Sequence, residues 1–194
     1  LMYYDYSDPN NFGASTPNDL SLSNEALQQE IAYWWTTQAT LPASSIKLDE
    51  SPNAILQVLI ETFNTEKPIE QWAMGIYMPD MSGGHAITPY AVEDQGDGIY
   101  HVMVYDNNWP NMGRELIIDT NENSWSYQAS TNPNEPESLY EGNKDTRTLE
   151  IVGITSRLEQ QYCDFCAGGS DGYSNRTRGL AASSQAYNQI WLNG

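Results

Sequence analysis

Apolar residues recur at helical spacing in two early segments of the chain and then alternate with polar ones. In the first segment Leu27, Ile31, Trp34 and Trp35 fall on one face, and Ser23 stands before them as an N-cap, so the pattern predicts a helix over 24–37. Ser51-Pro52 is a second start signal, a cap followed by proline at the first helical position. Ile55, Val58, Leu59 and Phe63 form the stripe of that helix. The period then changes to two. Strands are predicted over 72–78, 85–92, 99–105, 114–119, 124–127 and 149–152. Turn chemistry separates them at Met81-Ser82-Gly83-Gly84, at Gln95-Gly96-Asp97-Gly98 and at Asn121-Glu122-Asn123. Pro89 has no N–H to give a ladder, so its strand needs an edge or a bulge there. Residues 1–22 and 129–146 read as polar loop, and no internal repeat is present.

Helices first and an antiparallel sheet afterwards define an α+β fold, with the N-terminal helices packed on the sheet. At 194 residues the chain has room for one domain or one domain with an appendage. The pattern divides it into a domain over 1–150 and a loop-rich extension over 151–194. Six Trp and thirteen Tyr supply a core that a disordered acidic chain lacks. The net charge of −18, with only eight Lys and Arg, excludes nucleic acid as a partner, because phosphate binding needs basic side chains. No apolar run reaches the roughly 18–20 residues that span a bilayer. Leu1-Met2-Tyr3-Tyr4-Asp5 has neither the basic region nor the apolar stretch of a secretion signal, and a chain opening on Leu reads as a piece of a longer protein. Low Lys and abundant Asn and Tyr suit an exported bacterial protein, extracellular or at the cell surface.

The chemistry concentrates in one hairpin. His85 opens one strand, and Asp106-Asn107-Asn108-Trp109 ends the next, so the turn between them can bring an imidazole to a carboxylate or carboxamide. That is a base with its orienting partner, since histidine titrates near neutral pH and an acceptor on one ring nitrogen fixes the tautomer. Gly83 and Gly84, before His85, would let a substrate backbone approach. His101, in mid-strand, reads as structural. Asp119-Thr120-Asn121-Glu122-Asn123 begins like a calcium loop, but Ser124 and Ser130 stand where Gly and Glu are required, so it reads as a hairpin turn. Cys163 and Cys166 are the only cysteines, spaced C-x-x-C and followed by glycine-rich loop. They read as a small structural disulfide, with half a metal site or a redox pair as alternatives. Asn175-Arg176-Thr177 is a glycosylation sequon. No cofactor is called for.

Gly83-Gly84-His85-Ala86-Ile87-Thr88-Pro89-Tyr90-Ala91-Val92, followed by Val104-Tyr105-Asp106-Asn107-Asn108-Trp109-Pro110, resembles the His and Asn/Asp half of papain-like cysteine peptidases. It is similar, more narrowly, to bacterial papain-like domains related to bacteriocin-processing double-glycine peptidases. The clear resemblance covers about residues 50 to 128. It implies a papain-like fold with His85 as general base, Asp106 or Asn107 as its orienter, Trp109 shielding the pair and Gly83 and Gly84 lining the cleft. It implies a peptide or protein substrate. The family's nucleophilic Cys precedes the His, whereas no Cys precedes His85 here. Leu1-Met2-Tyr3-Tyr4 reads like the tail of the helix that would carry it, which puts the expected nucleophile upstream of residue 1. The other expectation is a module that has lost its nucleophile and serves adhesion or assembly at the cell surface, with other chains of that assembly as partners.

Overall fold

The computed structural model describes residues 19–21, 23–130 and 134–163. The expected helix tail at Leu1–Tyr4, Cys166 and the sequon at Asn175 lie outside these residues. Three helices come first: α1 (Glu25–Thr37), α2 (Ala43–Ile46) and α3 (Pro52–Phe63). Seven strands follow: β1 (Trp72–Tyr77), β2 (Gly84–Gly96), β3 (Ile99–Tyr105), β4 (Arg114–Asp119), β5 (Ser124–Ala129), β6 (Ser138–Asn143) and β7 (Leu149–Gly153). They form one antiparallel sheet in the order β6-β5-β4-β3-β2-β1-β7. The sheet curls until β6 returns towards β1: the Tyr140 hydroxyl lies 3.2 Å from where a side chain on Gly83 would begin. The fold is therefore mixed α+β.

Helix α3 fills the concave side of this sheet. Ser51 accepts a hydrogen bond from the Ala54 amide, and Pro52 stands where no amide hydrogen is needed. Ile55, Leu56 and Leu59 are fully buried and meet Met74, Ile87, Val102, Leu116, Ile118 and Ile151. The start of α3 is tied to the β4–β5 turn, where Asn53 Nδ2 donates to the Thr120 carbonyl at 3.0 Å and the Asn53 amide donates to Asn123 Oδ1 at 3.0 Å. Helix α1 is attached differently. The buried Arg157 donates to the Trp34 carbonyl at 3.1 Å, and its guanidinium lies 5.1 Å from the centre of the Trp34 ring.

Several expectations shift. The α1 cap is Asn24, whose side chain accepts from the Leu27 amide, one residue after Ser23. Trp35 is 48% exposed, so the buried face of α1 turns on Leu27 and Ala32 instead. On α3 the buried stripe includes Leu56, while Val58 and Phe63 lie half-buried at its flanks. Of the two places open to Pro89, the structure takes the bulge: β2 is interior, and its register with β3 slips between Pro89 and Ala91. The stretch read as loop over 129–146 contains β6. Only Tyr140 on that strand is a large buried residue, and as the outermost strand on its side it needs little apolar sequence. The expected boundary after residue 150 falls inside β7, whose pairing with β1 continues to Gly153, and Tyr162 bridges Leu41.

Candidate functional site

Strand alternation assembles the site. On β2, His85, Ile87 and Pro89 point to the concave side, as Val102 and Val104 do on β3. Two residues beyond Val104 the chain leaves the strand, and Asp106 continues the inward phase with no exposed side-chain surface. His85 Nε2 and Asp106 Oδ1 are 2.8 Å apart, and the His85 side chain is 9% exposed. Among the described residues His85 Nδ1 has no hydrogen-bond partner.

The carboxylate is held from three sides. The Asn108 amide also donates to Oδ1, at 2.9 Å, and the Tyr127 hydroxyl donates to Oδ2, at 2.7 Å. Burial pushes the Asp106 pKa up, but the hydrogen bond and charge of His85, with the bonds from Tyr127 and Asn108, outweigh it and hold the carboxyl below its ordinary value. Burial and the adjacent carboxylate push the Tyr127 phenol well up, so it remains a donor. A carboxyl depressed on folding contributes stability above its unfolded pKa of about 4, and that stability fades as pH falls towards the folded value. The stability advantage of the wild type over Asp106→Asn is therefore expected to shrink as pH falls from about 5 to about 3. Urea unfolding across that range measures it, and an advantage that grows on acidification would contradict the assignment.

The two candidate orienters separate cleanly. Asp106 reaches the histidine, while Asn107 stands in the turn and donates to Asn108 Oδ1 at 3.2 Å. Asn107 is therefore not at the imidazole. Trp109 is half-buried. Its amide donates to the Asp106 carbonyl at 3.0 Å, and the Arg114 guanidinium lies 5.0 Å from its ring centre. Gly84 is exposed and Gly83 half-buried, and both have a packing reason to be glycine. A Cβ at Gly84 would stand 2.8 Å from the Tyr77 ring, and one at Gly83 would stand 3.2 Å from the Tyr140 hydroxyl. His101 lies on the convex side, with Nδ1 2.9 Å from Glu115. In the Asp119–Asn123 turn Asp119 Oδ1 accepts the amides of Asn121 and Glu122, as a hairpin turn requires. Cys163 is disulfide-bonded.

Three residues absent from the sequence reading belong to the site. Tyr127 supports Asp106, Arg114 donates to the Tyr127 hydroxyl at 3.4 Å, and Glu137 holds Arg114 through two hydrogen bonds of 2.9 and 3.0 Å. The available signal was alternation: Arg114 pairs with Val104, and Tyr127 lies two residues on from the buried Trp125. No group of His, Cys, Asp and Glu among the described residues could hold a metal ion. No helix among them is long and apolar enough to cross a membrane. No protein-family model, curated protein or solved structure matches the chain.

Proposed function

We propose that the chain is a papain-like cysteine peptidase domain of a larger exported bacterial protein, hydrolysing peptide bonds with Cys, His and Asp, the Cys lying upstream of residue 1. The observation that carries this reading is the buried His85–Asp106 pair, bonded through Nε2 and leaving Nδ1 unengaged by described residues. An ionised Asp106 only accepts, so the ring proton sits on Nε2 and Nδ1 offers a lone pair. In this reading Nδ1 takes the thiol proton as the sulfur attacks the peptide carbonyl, and later gives it to the leaving amine. Asp106 stabilises the imidazolium formed between those steps, Trp109 screens the pair from water, and Gly83-Gly84 border the cleft. The substrate is a peptide or protein. Hydrolysis of a peptide library by the unprocessed protein tests the reading: cleavage should stop on thiol alkylation and in His85→Ala, and cleavage that survives both would sink it.

A second reading has its own observations. No Cys occurs among residues 1–84, and the aromatic side chains of Trp35, Tyr90 and Tyr162 are each about half exposed (48%, 53% and 47%). The lack of a Cys before His85 favours a non-catalytic module that contacts other chains of a surface assembly.

A further inference from the structure

We infer that Tyr127 is a positioning residue for His85, acting through Asp106 and held in turn by Arg114 and Glu137. The inference rests on the reading of His85 as the base of the site.

Asp106 is completely buried, so both carboxylate oxygens need donors from the protein. Oδ1 takes His85 Nε2 and the Asn108 amide, while Oδ2 takes the Tyr127 hydroxyl. The direction of these bonds decides the chemistry. While Asp106 is ionised it cannot donate, so Nε2 must carry the ring proton and Nδ1 is the basic atom. Should Asp106 take up a proton and donate it to Nε2, the ring proton moves to Nδ1. Nδ1 then offers no lone pair. A donor on Oδ2 favours the ionised form, and among the described residues the Tyr127 hydroxyl is the donor hydrogen-bonded there.

Tyr127 is kept in that role from behind. Arg114 Nε donates to the phenolic oxygen at 3.4 Å, and the guanidinium lies 5.5 Å from the ring centre. A guanidinium has no acceptor, so the phenol hydrogen cannot turn towards it and goes to Asp106. Glu137 fixes the far side of the guanidinium with two bonds, and the Gln128 carbonyl accepts another. The polarity is uniform: Glu137 accepts from Arg114, which donates to Tyr127, which donates to the carboxylate that accepts from His85. A buried phenol needs one partner, and this one has both a donor behind it and the carboxylate in front.

Imidazole nitrogen NMR of the full chain tests this without any nucleophile. The two histidines are separated by a His101→Gln variant, and spectra are taken at about pH 8, above the ordinary histidine pKa. The wild type should show His85 with its proton on Nε2. Tyr127→Phe, with an unchanged circular dichroism spectrum, should show an Asp106 carboxyl carbon that titrates at higher pH than in the wild type. A folded Tyr127→Phe variant whose Asp106 carboxyl titrates as in the wild type would overturn the proposal. Should that variant not fold, Glu137→Gln, at a partly exposed side chain, should raise the pH of the Asp106 titration by less, and no rise there would overturn the proposal too. Absence of thiol-dependent cleavage by the unprocessed protein would count against the peptidase reading while leaving this result standing, so the two failures are distinguishable.

Discussion

Replacing Asp106 with alanine is expected to destabilise the chain by about 3–5 kcal/mol, the range for removing one partner of a buried, hydrogen-bonded charge. The carboxylate receives His85 Nε2, the Asn108 amide and the Tyr127 hydroxyl at 2.8, 2.9 and 2.7 Å, and alanine would strand all three donors. Asp106→Asn keeps one oxygen for the donors on Oδ1 and should cost about 1–3 kcal/mol, the penalty for one imperfectly satisfied group. Chemical denaturation of the two variants beside the wild type measures the difference. A cost below about 1 kcal/mol for alanine, the size of a single ordinary hydrogen bond, would mean that the carboxylate does not hold the three elements together.

The second large effect lies in the core. Leu59→Ala should cost about 3–5 kcal/mol, because the transfer term and the cavity term both apply at a site with no room to collapse. Leu59 has no exposed surface and shares the α3 face with Ile55 and Leu56, which are equally buried. Trp35→Ala, although it removes a larger side chain, should cost less, since that ring is half exposed on α1. The reverse ranking would place the core of the molecule under α1 rather than under α3. Equilibrium unfolding in urea reads both.

These contrasts mark how far the sequence carries. The hairpin from Gly84 to Tyr105 was legible because its alternation is clear and Asp97-Gly98 closes the turn with both residues at positive φ. The interior place of β2 was not legible, since whether a bulge or an edge absorbs Pro89 depends on which strands pair beside it. The β6 strand escaped for a related reason: an outermost strand with one buried tyrosine carries little hydrophobic signal. On α1, Trp34 and Trp35 look alike in sequence, and the placing of Arg157 against Trp34 sets them apart. The meeting of His85 with a side chain after β3 followed from the hairpin register. Between Asp106 and Asn107 the sequence left the orienter open, and it is in the structure that Asp106 meets the imidazole. Arg114 comes from β4, Tyr127 from β5 and Glu137 from the segment just before β6, and tertiary pairing alone brings them to the carboxylate.

The most direct test of the His85–Asp106 assignment is the intact mass of the native, unprocessed protein after treatment with a thiol-reactive, peptide-like electrophile. One adduct is expected, on a Cys upstream of Leu1, formed rapidly in the wild type and lost in His85→Ala. No upstream Cys, or one that reacts at the same rate with and without His85, would contradict a peptidase and leave a non-catalytic module.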